Sequence, residues 1–259
     1  MKKVLPVLVC CFAVSAATAQ YSGSISYAMS VPGGEMAKNI GLLHSAKLNI
    51  GRQLPGAMKR VQMGAELGIG TYAQITKEQT FVFGNGTSTR TNVNYGSNVF
   101  QAGAYTQIDL LQNKKIIPYL RANAGIAKFY SNVTVYDPKD LDGCLPMDKK
   151  SIVRDNVFTA GYGAGVRMDM KLIAPICGAN SNWIDFSITR ITGGNVDYIN
   201  TKRIKDHYHN AADTDPKATP VVQRFINATT QNIHEHQVAE LFTSKLRMLE
   251  FRVGYTISF

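Results

Sequence analysis

Four of the five histidines form two close pairs in one polar stretch of the chain. The pairs are His207 with His209 and His234 with His236. On an extended segment, His-x-His spacing places both imidazoles on one face, where zinc or copper could bind. The pairs lie far apart in sequence, so an ordinary polar surface loop is the competing interpretation. We predict no metal and no other cofactor, and keep the four histidines as candidate ligands only.

The same stretch carries Asp206, Asp213 and Asp215, which could act with the histidines as acid and base. A surface enzyme acting on lipid or peptide would also need a nucleophile beside its base. No serine, threonine or cysteine is marked as one by its neighbours. We therefore predict that the chain is not an enzyme, and activity of this histidine-rich loop is the alternative.

The last stretch of the chain, residues 249–259, alternates apolar and polar residues without interruption. Its apolar face carries Leu249, Phe251, Val253, Tyr255, Ile257 and Phe259. The opposite face carries Glu250, Arg252, Gly254, Thr256 and Ser258. A period of two over this length predicts a β-strand with one apolar and one polar face.

The first residues have the pattern of an export signal. Lys2 and Lys3 precede an apolar run, and small residues end it at Ala19, as a signal peptidase requires. We predict a signal peptide over residues 1–19, cleavage near Ala19, and one domain over residues 20–259. The formal charge of +10 becomes +8 without the two lysines. Because nucleic acid is an unsuitable partner for an exported chain, we predict none.

Seven further segments alternate in the same way and are predicted to be strands. They are residues 21–29, 41–52, 61–75, 99–111, 116–132, 158–171 and 183–191. In the third, Ala73 and Ile75 are predicted to face outward with Leu67. Within the long loop before the last strand, residues 221–228 and 238–242 are candidate helical pieces.

The pattern decides between a membrane barrel and a soluble β-sandwich. No segment after the signal has the roughly 18 apolar residues that a spanning helix requires. A closed barrel is the other structure that satisfies every backbone group in hydrocarbon. Long and short connections alternate, and the apolar faces fit an exterior in lipid. We predict an all-β fold, an eight-stranded antiparallel transmembrane β-barrel with long extracellular loops.

The even strand number, the alternating connections and the terminal aromatic residue resemble small eight-stranded outer-membrane β-barrels of the porin-like family. The resemblance implies that Phe259, with Ile257 and Tyr255, is read by the barrel-insertion machinery. It also implies a location in the cell outer membrane, with short turns and chain ends in the periplasm. Expected partners are membrane lipids and other outer-membrane or periplasmic proteins. The His-x-Ser-Asn motif of the lipid deacylases among such barrels is absent.

Seven charged residues fall on the polar strand faces at broadly similar depth. They are Lys47, Glu66, Arg121, Arg167, Asp185, Glu250 and Arg252. Eight strands enclose a space that side chains fill, so these charges predict a salt-bridge network that plugs the lumen. A gated channel or proton path is the functional alternative. We favour the plug, because unpaired charge there would carry a large desolvation cost.

Basic residues cluster at the predicted periplasmic ends of the strands. This basic collar consists of Arg52, Lys59, Arg60, Lys114, Lys115 and Lys171. A cationic collar suits the phosphates of inner-leaflet lipids, and it would also suit an acidic periplasmic partner.

These patterns predict a structural or accessory subunit of an envelope complex, docking partners through its basic periplasmic turns and outer loops. By analogy alone, a type IX-like secretion machine or a barrel-assembly machine would be its home. The alternatives are the surface enzyme, a narrow channel and a loop-based adhesin.

Overall fold

The computed structural model describes residues 21–82, 88–112, 114–136, 146–172, 181–204, 215–226 and 233–258. The predicted signal peptide, His207, His209 and Phe259 lie outside these ranges. His234 and His236 are described by their backbone only. The signal peptide and its cleavage near Ala19 therefore stay predictions.

Nine β-strands make up most of the described chain. They are β1 (Tyr21–Pro32), β2 (Leu43–Gln53), β3 (Val61–Val82), β4 (Ser88–Asp109), β5 (Ile116–Tyr136), β6 (Pro146–Asp169), β7 (Ser181–Ile199), β8 (Thr219–Ile226) and β9 (Ile233–Ser258). A short helix α1 (Met36–Asn39) follows β1, and 3₁₀ turns lie at Gly56–Met58 and Met170–Leu172. In the described ranges, no helix is long and apolar enough to cross a membrane.

The sheet closes on itself through its first strand. Ile25 of β1 lies opposite Leu48 of β2 on one side and opposite Tyr255 of β9 on the other. Around the wall the order is β1-β2-β3-β4-β5-β6-β7-β9, and every pairing is antiparallel. The predicted eight-stranded barrel is confirmed, including closure by the short first strand.

In its described residues, the long connection before the last strand contains two paired strands where helical pieces were predicted. The candidate helical pieces are wrong over residues 221–226 and 238–242, because these segments lie in β8 and β9 and the two strands pair. Residues 227 and 228 lie outside the described ranges. Val221 lies opposite Ala239, and Val238 and Phe242 are buried in the apolar core. Adjacent β-branched residues such as Val221 and Val222 suit a strand better than a helix.

Several strands are much longer than a membrane requires. β3, β4, β5 and β6 have 22, 22, 21 and 24 residues, whereas about 9–11 tilted residues cross the hydrocarbon. β1 and β2 have only 12 and 11 residues. The wall therefore continues beyond the membrane on the side away from the short turns.

The outward faces change from apolar to polar partway along the strands. On β5, exposed Ile126 is followed outward by exposed Lys128. The corresponding changes are Phe100 to Asn98 on β4, Phe158 to Asn156 on β6, Ile188 to Arg190 on β7 and Leu249 to Arg247 on β9. The apolar band is the lipid-facing surface, and its edge marks the outer water interface.

The inward faces change in the opposite sense. On β5, the outward face changes between Ile126 and Lys128. Buried Arg121 lies on the side of this level that carries the short turns. Phe129, Val133 and Val135 lie on the other side and belong to one apolar core. A β-bulge between Thr71 and Ala73 shifts β3 at this level. Ala73 and Ile75 consequently pack inward against the core, and the prediction that they face outward is wrong.

The upper wall divides into two sheets. The β6–β7 ladder runs up to Thr159 opposite Gly193, beyond which β6 stays paired with β5 and β7 with β9. We call the resulting structure the outer sandwich: β3–β6 above the change of faces form one sheet, and the upper parts of β7 and β9 form the other with β8. Tyr95 Oη donates a hydrogen bond to the Val238 carbonyl at 2.7 Å and joins the two sheets.

Candidate functional site

Glu66 on β3 is the centre of the ion pairs inside the lower barrel. Its Oε2 lies 2.7 Å from Arg121 Nη2 and 2.7 Å from Arg252 Nη1. Its Oε1 lies 3.3 Å from Lys47 Nζ. The three cations come from β5, β9 and β2, so one carboxylate joins strands from different parts of the wall.

Glu250 on β9 is the second carboxylate of this network. It lies 2.7 Å from Lys47 Nζ and 2.7 Å from Arg252 Nη2. Ser30 Oγ also donates a hydrogen bond to it, at 3.2 Å. Lys47 and Glu250 are 1% and 0% exposed, so both charges depend on these partners. We call Lys47, Glu66, Arg121, Glu250 and Arg252 the lumen network.

The two other predicted lumen residues pair separately. Arg167 forms an ion pair with Asp109, close to the short turns. Asp185 accepts a hydrogen bond from Tyr119 Oη at 2.7 Å. Sequence reasoning missed Asp109 and Tyr119. Both have the inward parity of their strands, with Gln107 and Arg121 two residues away, so the alternation could have indicated them.

The lumen charges balance, and in the middle of the barrel they leave little room. Four cations (Lys47, Arg121, Arg167, Arg252) face four carboxylates (Glu66, Asp109, Asp185, Glu250), for a formal sum of zero. The space between Arg121, Arg167 and Asp185 has a volume of about 20 Å³, which is room for about one water molecule. This arrangement suits structural neutralisation of buried charge rather than ion passage.

Aromatic side chains and facing glycines complete the packing of the lumen. The Arg121 guanidinium lies 3.8 Å from the centroid of the Tyr105 ring, in cation–π geometry. A Cβ added to Gly165 would lie 2.4 Å from the Tyr119 ring and 2.6 Å from the Phe186 carbonyl. Glycine is therefore required where the ring crosses β6.

The basic collar lies at the end of the barrel that carries the short turns. Lys59, Arg60, Lys114, Lys115 and Lys171 are exposed there. Arg52 differs, because it lies on the outward face of β2 with its guanidinium 5.9 Å from the Tyr21 ring centroid. The collar thus combines solvated turn residues with one side chain at the lipid edge.

The histidine pairs stay a prediction. The backbone of β9 places residues 234 and 236 on one strand face, while His207 and His209 lie outside the described ranges. Within those ranges, no group of three or more His, Cys, Asp or Glu side chains could hold a metal ion. The fifth histidine, His44, lies on the outer face, with Nδ1 2.6 Å from Tyr27 Oη.

A closed eight-stranded wall with an apolar exterior band and a charged interior defines a transmembrane β-barrel. The chain therefore has the fold of the small eight-stranded outer-membrane β-barrels. Neither a protein-family model nor a curated protein matches its sequence.

The solved structures with a similar fold have low sequence identity to this chain. Neisserial surface protein A is 10% identical with a TM-score of 0.46, covering 93% of this chain and 97% of that one. Ail of Yersinia pestis, solved in complex with the heparin analogue sucrose octasulfate, is 12% identical with a TM-score of 0.40 and coverage of 93% and 99%. A major outer membrane protein of Thermus thermophilus is 11% identical with a TM-score of 0.44 and coverage of 93% and 100%. At these identities the likeness concerns the fold alone.

Proposed function

We infer that the chain is a non-enzymatic structural or accessory subunit of an envelope complex. In this role the barrel fixes the outer sandwich at the cell surface. The observation that carries the proposal is the filled interior, which holds the lumen network below and the apolar core above. Because side chains occupy the inside, the exposed surfaces are left for function.

The free edges of the outer sandwich support docking of a partner. Among the described strands, β8 pairs with β9 alone. The upper part of β6, beyond Thr159, continues its ladder with β5 alone. Edge strands present backbone groups to which another chain can add a strand. Pro220 lacks the N–H for such pairing at its own position, so the rest of β8 and the β6 edge are the better docking sites.

The basic collar supports a second contact on the periplasmic side. The lysines and arginines exposed at that rim suit either acidic groups of a periplasmic protein or lipid phosphates. A subunit with surfaces on both sides of the membrane fits a secretion machine of the type IX kind or a barrel-assembly machine. These two machines are the narrower form of the proposal.

Site-specific photo-crosslinking in cells tests the proposal. A photoreactive residue replaces exposed Thr219 at the β8 edge, Lys114 in the collar or, as a matched control, lipid-facing Ile126. We expect Thr219 and Lys114 to yield adducts with proteins that also co-purify in mild detergent, and Ile126 to yield none. A chain that purifies alone, with no protein adduct at any position, would contradict the subunit role.

The identity of the captured protein separates the two machines. Depletion of the chain should then reduce either export of secreted cargo or the amount of other folded barrels in the outer membrane. If depletion changed neither cargo export nor the amount of folded barrels, a role in a secretion machine and a role in a barrel-assembly machine would both be excluded.

A further inference from the structure

An apolar groove of about 630 Å³ runs along the lipid-facing side of β6, β7, β9 and β1. Ala164 on β6 pairs in register with Ile188 on β7, and Ile188 pairs with Phe251 on β9. Small Ala164 therefore forms a recessed edge of the groove on the β6 side of these larger side chains. Phe186, Ile188 and Phe251 keep between 37% and 50% of their surface exposed. The groove has the apolar character that suits an acyl chain.

Three outward cations lie on β7 and β9 above this groove. Arg190 is two positions beyond Ile188 on β7, and Arg247 is two positions beyond Leu249 on β9. Arg190 pairs in register with Leu249. Arg190 and Arg247 are therefore diagonal neighbours, with Cα atoms about 7–8 Å apart. Lys245 is the next outward residue of β9. We call Arg190, Lys245 and Arg247 the outer basic patch.

The outer basic patch forms no ion pair within the described part of the chain. All three side chains are exposed, and none forms an ion pair with a described residue. The outward carboxylate of Asp197 is the diagonal neighbour of Lys245 across the β7–β9 ladder. It accepts a hydrogen bond from Thr243 Oγ1 at 2.5 Å and lies higher on β7 than Arg190. The patch is therefore a concentrated positive charge at the edge of the apolar band.

We propose that the groove and the outer basic patch together bind a phosphorylated, acylated glycolipid of the outer leaflet. The cations lie at the depth of lipid phosphates, and an acyl chain below them would fill the groove beside Ala164. Two arginines on adjacent strands provide bidentate donors for a phosphate. Exposed Tyr162, opposite Arg190 in the ladder, flanks the headgroup position. A soluble polyanion could use the patch but would gain nothing from the groove, which commits the site to a lipid.

Native mass spectrometry of the full chain in detergent micelles tests this, with bis-phosphorylated lipid A as the probe. The double variant Arg190→Gln/Arg247→Gln removes the phosphate donors, and Ala164→Phe fills the groove. The matched control Arg90→Gln/Lys128→Gln removes two exposed outward cations from β4 and β5, away from the groove. Heat-modifiable migration on gels verifies that each variant is a folded barrel.

We expect the arginine double variant to bind lipid A at least tenfold more weakly than the wild type and the control. Ala164→Phe should weaken lipid A binding while leaving retention of a soluble, deacylated bis-phosphorylated glycan unchanged. Dephosphorylated lipid A should bind the wild type as weakly as lipid A binds the arginine variant. Equal lipid A binding by the arginine variant and the control would overturn the proposal. Equally tight binding of the deacylated glycan and lipid A would overturn it too, because the patch would then be a site for soluble anions. The result is independent of whether a protein partner is found.

Discussion

Arg252 bridges both carboxylates of the lumen network, with Nη1 2.7 Å from Glu66 and Nη2 2.7 Å from Glu250. One guanidinium thus connects β3 to β9, which are not neighbours in the wall. The planar fork of arginine suits this double contact, and a lysine ammonium would not reproduce it.

Replacement of Arg252 by alanine should destabilise the barrel by about 3 kcal/mol, because Glu66 and Glu250 would each lose a partner inside the lumen. This loss of stability is at the low end of the range for broken buried ion pairs, because Lys47 still pairs with both carboxylates and Arg121 still pairs with Glu66. Urea unfolding in lipid vesicles measures it. The control Arg190→Ala removes an exposed arginine and should change stability by about 0.5 kcal/mol or less. Equal stability of the two variants would argue against a structural role for the lumen network.

The wild-type chain should give no discrete conductance in planar bilayers. The double variant Arg121→Ala/Arg252→Ala should also stay closed, because the apolar core of the outer sandwich covers the lumen from above. Current recording at both polarities checks this. Step openings in the wild type would favour the channel alternative, and openings only in the variant would show that the lumen network alone seals the barrel.

Replacement of Gly165 by alanine should destabilise the barrel by about 1–3 kcal/mol, the usual cost of overpacking. The new methyl group would meet the Tyr119 ring and the Phe186 carbonyl, and would disturb the hydrogen bond from Tyr119 to Asp185. Gly23→Ala is the matched control, because nothing lies within 4 Å of a Cβ added there. The midpoints of urea unfolding should differ between the two variants, and coincident midpoints would contradict the close packing at Gly165.

Truncation of Phe129 to alanine should lower the free energy of unfolding of the outer sandwich by about 3–5 kcal/mol. Phe129 is fully buried, with its ring centroid 6.0 Å from that of Tyr72. We expect trypsin to cut the outer sandwich on intact cells while the membrane part keeps its heat-modifiable migration. Leu120→Ala, on the lipid-facing side of the same strand, should leave the protease resistance unchanged. If both variants resisted trypsin, the outer sandwich would not depend on Phe129 to stay folded as a unit, and the prediction would be wrong.

The sequence predicted the membrane part of the fold well, because a period of two with one apolar face is a direct consequence of a strand between lipid and lumen. For the outer halves of β3 and β4 it predicted no strands, only a polar stretch in which Asn85-Gly86 could turn a hairpin beyond the membrane. The two strands pair up to Val82 opposite Ser88, and Asn85 and Gly86 lie outside the described residues. Above Phe100 the apolar residues change from the outward to the inward face, so Asn94 and Asn98 on the outside gave that stretch the composition of a loop. The bulge after Thr71 shifted the parity of Ala73 and Ile75, and no local residue pattern marks it.

The sequence predicted which charges of the candidate site face inward, but not which of them pair. Parity places Lys47, Glu66, Glu250 and Arg252 inside the barrel, but which charges meet depends on register and strand tilt around the whole wall. Arg167 therefore pairs with Asp109, and Asp185 accepts from Tyr119, rather than joining the ion pairs of Glu66. The outer basic patch became visible only when Arg190 and Arg247, distant in sequence, were placed on adjacent strands.

The change from apolar to polar outward residues also sets the vertical position of the protein along the membrane normal. One outward position corresponds to two residues, or about 7 Å along a strand. If the barrel sank by this amount, Lys128, Arg190 and Arg247 would enter the hydrocarbon. If it rose, Ile126 and Leu249 would enter water. Both displacements are unfavourable, so the outer sandwich is held at a fixed height above the cell surface.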